Sequence, residues 1–388
     1  MYELSESLHR MGHRVTVVAA AAKASSSRAE LNSVAQGEGN PGVRVLRGRA
    51  IPVHLARLPA AVRGAGQIMN SLIFLRHALS VNDIGAVIAY SPPLASGVTA
   101  WMLGACRGAP FILNVQDLVP RYAQELGILR NRFVISILKK LEHFVYNRAK
   151  FITVHSDGNK DYMIGEGVSA EKVVVIPNWA DTKEFDPFDR GVEFRVTNGL
   201  LDRFVVLYAG MLGFAQDTDV ILRCAARIKD NNNIVVLIVG DGVEKPRLMK
   251  EAQELGLENV RFLPFVSKDQ YPHVVTAADL CLASLRKELR CPVVPSKLVG
   301  YMAAGRPIIA ALRADGDAAA ILARARCGIR VDPGDAAGLA EAVVELFHDR
   351  KRCEEYGSNG RQFAHRFYDR DRCVAIYGEL LETLARGK

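Results

Sequence analysis

Four short stretches of the 388-residue sequence combine residue types at spacings that suit chemistry on an anion or a hydroxyl. Tyr208-Ala209-Gly210-Met211-Leu212-Gly213 follows an apolar, β-branched run. At a strand-to-helix turn, Gly210 and Gly213 would let the backbone approach a phosphate. An ordinary tight turn reads equally well. Val239-Gly240-Asp241-Gly242 closes the next such run and would keep the mouth of a cleft open, with a plain turn again the alternative. In Pro295-Ser296-Lys297, Ser296 is expected to cap a helix. Lys297 then falls in the first turn, where a positive side chain opposes the helix dipole. A bound anion resolves that conflict, and so does a lysine pointing into solvent. Finally, Asn114-Val115-Gln116-Asp117 ends a strand pattern and presents Gln116 and Asp117. A carboxylate there can hold or deprotonate a substrate hydroxyl, or cap the helix expected beyond Pro120.

Other patterns carry less. Gly37-Glu38-Gly39-Asn40-Pro41-Gly42 matches a dinucleotide-binding text, but it follows no strand and contains a proline, so it reads as a surface loop. Asp315-Gly316-Asp317 and Asp369-Arg370-Asp371 match a metal-binding D-x-D text. The first reads as a loop entering a helix and the second as a helix cap, so no metal is expected. The seven cysteines are scattered without metal-ligand or framework spacing, and read as buried thiols in a reducing compartment.

These stretches sit in an alternation of strand and helix. Strands are expected at 15–19, 43–46, 86–89, 111–115, 151–154 and 173–176. A polar break follows Asp186-Pro187, and strands resume at 204–208, 234–239, 260–263, 280–283, 307–310 and 328–331. Short apolar runs without alternation are what a parallel sheet covered on both faces requires. The fold class is therefore α/β, with two facing Rossmann-like, doubly wound parallel-sheet domains. The first spans 1–187 and the second 188–369, and the 370–388 helix is expected to return toward the first. Ligands of such sheets bind beyond the carboxyl ends of the strands, in the cleft.

The length and the 49% hydrophobic content exclude a disordered chain or a small disulfide scaffold. The net charge of +8 is too mild for a nucleic-acid binder and suits an anionic ligand or a membrane surface. Most of the excess lies in the N-terminal half: up to Pro187 there are 21 basic and 15 acidic residues. The 130–150 segment is basic and amphipathic, with a single acidic residue, Glu142, and can lie on anionic lipid or simply pack as a core helix. Helical periodicity begins at once, with Tyr2, Leu4, Leu8 and Met11. A first helix with no strand before it has no sheet to cover. The chain is thus expected to lack a first strand and loop, through truncation or a misassigned start.

Taken in order, these motifs carry a resemblance. Ser91-Pro92-Pro93, Asp117 with Pro120, Val175-Ile176-Pro177-Asn178 with Asp181, the two glycine turns, and Pro295-Ser296-Lys297 with Met302-Ala303-Ala304-Gly305-Arg306-Pro307 resemble retaining glycosyltransferases of family 4, which have the GT-B fold. The nearest likeness is to the WbuB-like O-antigen and capsule subgroup. The resemblance implies a nucleotide-sugar donor on the second domain, its pyrophosphate on Gly210, Gly213, Ser296 and Lys297, with Gly240 and Asp241 at the mouth. It implies acceptor chemistry near Asp117 and Gln116, no metal or other cofactor, and a lipid-linked, undecaprenyl-type glycan acceptor. The setting it implies is cytoplasmic, peripheral on the anionic inner membrane, in polysaccharide biosynthesis. Two glutamates usual in the family fall at Pro292 and Gly300 here, and its usual histidine at Gln116. A crippled GT-B remnant or a nucleotide-sugar 2-epimerase are the alternatives.

Overall fold

The computed structural model describes residues 2–20, 42–48, 60–186, 189 and 191–387. Gly37 to Pro41 of the glycine-rich text, and Pro187 at the expected boundary, lie outside them. The first domain runs α1 (Tyr2–Arg10), β1 (Thr16–Ala20), β2 (Arg44–Gly48), α2 (Ala60–Ala78), β3 (Val87–Ser91), α3 (Ala95–Arg107), β4 (Phe111–Val115), α4 (Arg121–Glu125), α5 (Arg132–Arg148), β5 (Phe151–Val154), α6 (Asp157–Gly165) and β6 (Val173–Val175). All pairings are parallel, but in two pieces: β1-β2, and β3-β4-β5-β6. On β4, Ile112 packs under α1, while Leu113 packs on the opposite face with Val145 of α5 and Ala100 of α3. Adjacent strand residues face opposite ways, so one strand is buried by helices on both sides.

The second domain runs α7 (Val192–Thr197), β7 (Phe204–Ala209), α8 (Asp219–Arg227), β8 (Ile234–Val239), α9 (Lys245–Glu254), β9 (Val260–Leu263), α10 (Tyr271–Thr276), β10 (Leu280–Ser284), α11 (Ser296–Ala303), β11 (Ile308–Ala311), α12 (Asp317–Ala325), β12 (Gly328–Val331), α13 (Ala336–His348) and α14 (Arg350–Phe367). Its six strands form one parallel sheet in the order β12-β11-β10-β7-β8-β9. Every residue of β7 and β8 is buried. Each expected strand is found within two residues of its expected bounds. Helix α14 has no counterpart among the expected elements. Its 18 residues are mostly polar, and it packs through small residues instead of an apolar stripe. A Cβ on Gly357 would collide with the Gly305 carbonyl, and one on Gly360 would stand 3.0 Å from Cys327. Of the cysteines, all are free, and Cys106 departs from expectation in being exposed, near the end of α3.

A last helix, α15 (Arg370–Arg386), buries Cys373, Val374 and Tyr377 with Leu4, Ile112 and Ile176 of the first domain. The chain therefore crosses between domains twice, and the two crossings are tied together. Ala180 N–H donates to Tyr368 O (3.0 Å) and Arg370 N–H to Ala180 O (3.1 Å). Thr182 Oγ1 donates to Asp369 (2.7 Å), and Arg370 pairs with Asp181 (2.6 Å).

Candidate active site

The carboxyl ends of β7 and β8 carry the two glycine turns, and the structure interlocks them. Gly210 has φ +148° and Gly240 φ +155°, which L side chains rarely adopt. A Cβ on Gly240 would collide with the Gly210 carbonyl. Leu212 N–H donates to Asp241 O (2.8 Å) and Glu244 N–H to Leu212 O (3.1 Å). Gly213 and Gly240 therefore belong to one backbone ledge at the sheet's edge. The Asp241 side chain is exposed and accepts from Gly242 N–H (2.8 Å).

Helix α11 begins beside this ledge, with two departures from expectation. Pro295, not Ser296, holds the N-cap position, and Ser296 is the exposed first helical residue with no side-chain cap bond. With no backbone N–H and a fixed φ, Pro295 takes the cap position and the helix opens at Ser296. Lys297 is neither at the surface nor free. It is buried under the Gly210 turn, with Nζ donating to Tyr208 Oη (2.7 Å) and lying 3.9 Å from the Tyr208 ring centroid. Tyr208 in turn donates to Met211 O (2.8 Å), so the lysine braces the turn from below. Burial pulls the Lys297 ammonium down to about 7. It can therefore gain its full charge when an anion arrives on the ledge.

The opposing wall comes from the first domain. Gln116 follows β4, its Nε2 donating to Asn114 Oδ1 (2.5 Å), and Asn114 bonds Tyr377 of α15. Gln116 is thus fixed by the sheet instead of projecting freely. Burial raises the pKa of the Asp117 carboxyl. Burial also raises the Tyr122 hydroxyl and the Cys291 thiol, and the negative charge of nearby Asp117 adds to both. Tyr122 packs with Ala215, just past the ledge, and with Cys291. The structure thus brings Asp117 to the second domain's face of the cleft.

Three residues that the sequence did not single out complete this wall. Glu125 Oε2 accepts from the N–H groups of Arg290 (2.7 Å) and Cys291 (2.6 Å), and Asn159 donates to Pro292 O (2.8 Å). Both clasp the loop leading to α11. His155, just past β5, is buried, which lowers its pKa, with Nδ1 donating to Ile176 O (3.0 Å) and Nε2 unbonded. None has a local signal, since each partner is remote in sequence.

The "Glycosyl transferase 4-like domain" family model matches residues 1–179, and "Glycosyl transferases group 1" matches residues 190–363. The chain belongs to the GT-B glycosyltransferases. It is 28% identical over 225 residues to WcaI of Escherichia coli, named as a colanic acid biosynthesis glycosyl transferase. That match covers 56% of this chain and 55% of WcaI, so the chain spans about half the length of that relative. Sucrose-phosphate synthase from Thermosynechococcus elongatus shares the fold (TM-score 0.79, 20% identity, 100% of this chain and 92% of that one). So does Anabaena HepE in complex with UDP-glucose (TM-score 0.71, 18% identity, 98% and 94%).

In this glycosyltransferase Gly300 is not simply a lost side chain. A Cβ there would stand 2.7 Å from the Tyr271 hydroxyl, so the half-buried tyrosine fills the space a glutamate would need. Three of the four D-x-D aspartates have partners elsewhere, Asp371 with Lys183 (2.7 Å), while a buried oxygen of Asp317 has none among the described residues. Asp315 pairs with Arg313 (2.6 Å), Asp317 opens α12 against Gly158, and Asp369 caps α15.

Helix α5 is set apart from the rest of the glycosyltransferase. Asn131 caps it, accepting from the N–H groups of Phe133 and Val134. Its first half then leaves the body: Phe133 is 74% exposed, Ile137 48% and Val134 39%. Arg132, Lys139 and Lys140 are exposed beside them. Glu142 is turned inward, accepting from Tyr146 Oη (2.8 Å), and burial raises it to about 7. Its carboxylate therefore adds nothing to the exposed face, which is apolar and positive.

Proposed function

We propose that this chain transfers a sugar, with retention, from a UDP- or GDP-linked donor to a lipid-linked, undecaprenyl-type glycan during cell-envelope polysaccharide synthesis, as in the WbuB-like enzymes. The observation that carries this reading is the interlocked glycine ledge braced by Lys297, across the cleft from the half-buried Asp117. A diphosphate on the ledge accepts backbone N–H groups and restores the Lys297 charge. Charge that gathers on the leaving diphosphate in the transition state is then met by a preorganised cation. Asp117 holds the acceptor hydroxyl. The UDP-glucose bound by HepE and the polysaccharide role in WcaI's name support the donor and pathway class. No metal takes part in this scheme.

The exposed half of α5 supports attachment to the cytoplasmic face of an anionic membrane, because its apolar side chains are ringed by cations. Among the described residues no helix is long and apolar enough to cross a bilayer. Two experiments test the proposal. Incubation with a panel of UDP- and GDP-sugars and undecaprenyl diphosphate-linked acceptors should give product whose anomer, read by NMR, matches the donor. Absence of both transfer and donor binding sinks the reading, and donor conversion without acceptor would instead reveal a 2-epimerase. Sedimentation with phosphatidylglycerol vesicles, but not phosphatidylcholine vesicles, should deplete the protein, and the Phe133→Ser, Ile137→Ser double variant should stay in solution.

A further inference from the structure

Helix α4 of the first domain reaches onto the second. Tyr122 and Leu126, one turn apart on the same face of α4, pack with Ala215, Leu289 and Cys291. Ala215 lies two residues past Gly213 of the ledge, and Leu289 and Cys291 lie on the loop that leads into α11. Tyr122 therefore stands between the two parts of the second domain that flank Lys297. Any group carried by a diphosphate on the ledge would lie beside it.

The same short stretch of chain holds Asp117. Its carboxylate does not cap α4, because Pro120 takes the N-cap position with no side-chain cap bond. Arg121, the cation of α4, is engaged elsewhere. Its Nε donates to Glu125 Oε1 (2.8 Å), and its guanidinium stands 4.7 Å from the Tyr162 ring centroid. Among the described residues neither the Asp117 carboxylate nor the Tyr122 hydroxyl has a hydrogen-bond partner. The hydroxyl feels the negative charge of the carboxylate, so the two are neighbours, yet it does not donate to it. Half-buried polar groups call for partners. An ionised carboxylate can only accept, and a phenol can donate. A group that satisfies both at once must give one hydrogen and offer a lone pair, which is what an alcohol does. An ammonium has no lone pair, and a phosphate oxygen is repelled by the carboxylate.

We propose that Tyr122 is a substrate-binding residue which, together with Asp117, brackets one hydroxyl of the acceptor. The hydroxyl donates to the Asp117 carboxylate and accepts from Tyr122 Oη. This assignment rests on the proposed transferase function and deepens it, since it adds a second contact to the acceptor hydroxyl. It also ties acceptor binding to the meeting of the domains, because Tyr122 is held in place by Ala215 and Cys291 of the second domain.

The test uses the full chain with the donor and acceptor that give product, varying the acceptor at saturating donor. Tyr122→Phe keeps the ring against Ala215 and removes only the hydroxyl. It should raise the acceptor KM about three- to tenfold, with the donor KM and the melting temperature unchanged. Asp117→Asn should lower kcat/KM for the acceptor about ten- to hundredfold, as loss of a bond to a charged group does. If both side chains hold one hydroxyl, adding Tyr122→Phe to Asp117→Asn should cost less than about twofold more. If Asp117→Asn fails to fold, the single Tyr122→Phe comparison still decides. An unchanged acceptor KM in Tyr122→Phe shows a ring held for packing alone and overturns the proposal. Full multiplication of the two losses, or a rise confined to the donor KM, also overturns it. Product from the unaltered chain with an indifferent Tyr122→Phe removes only the role of Tyr122. No product and no donor binding by the unaltered chain removes the transferase reading, and this assignment with it.

Discussion

The two domains share an architecture and differ in how completely it is closed. In the second, β7 and β8 lie inside a continuous six-stranded sheet with all their residues buried. In the first, β1 is a sheet edge whose described residues are all only partly buried. The second domain presents a ledge fixed by backbone interlock and a buried lysine. The first carries an open cavity between β1 and β3 and an outlying amphipathic arm on α5. On the proposed function, preorganisation lies where charge would develop and open surface where a larger partner would arrive.

Substitutions can break this contrast. Leu207→Ala, at a fully buried β7 position, should cost about 2–5 kcal/mol in urea unfolding, because the tight second sheet cannot collapse around a cavity. A loss under about 1 kcal/mol would show the second domain to be as loosely packed as the first. Next in size, Lys297→Met should lower kcat by about 10²–10³, roughly 3–4 kcal/mol of transition-state stabilisation, while leaving the melting temperature unchanged or higher. That opposite movement separates a lysine held for charge from one held for packing, since its burial as a cation opposes folding.

A pH experiment sharpens the same point at smaller scale. Free Lys297 titrates at about 7, against an ordinary value of 10.5. Its folded-state pKa is depressed, so between these values the unfolded chain binds more protons and this group adds stability as pH rises. A diphosphate on the ledge reverses the shift. Nucleoside diphosphate binding at pH 8 should therefore take up close to about one proton, measured by calorimetry in buffers of different ionisation enthalpy, and should weaken as pH rises above about 7. No proton uptake would separate Lys297 from the ligand. The smallest effect belongs to the open half. Val17→Ala in β1 should cost only about 0.5–1 kcal/mol, because the side chain is already partly exposed and lines the cavity between β1 and β3.

Much of this molecule is legible in the sequence where the physics is local. Buried parallel strands need unbroken apolar, β-branched runs, and such runs mark β7 and β8 most plainly. Glycines at strand ends mark the ledge, because left-handed backbone leaves a compositional trace. What stays hidden depends on partners distant in the chain. Helix α14 packs through Gly357, Gly360 and Ala364, so no hydrophobic period announces it. Ser296 suits a cap by residue type, yet Pro295 sets the start of α11. The place of Lys297 in the first turn of a helix can be read locally, but its burial under Tyr208 follows from a contact 89 residues away in sequence. The fate of position 300 likewise rests on Tyr271, which nothing near Gly300 specifies.

The paired crossings between the domains have a mechanical consequence. Two chain segments stitched side by side at Ala180 and Asp369 behave as a single hinge pin. Swivelling one domain against the other would shear the Arg370–Asp181 and Thr182–Asp369 contacts, whereas opening and closing the cleft turns both segments together about one line. The motion left to the two domains is that of a door, with the Glu125 and Asn159 clasps at its free edge as the latch.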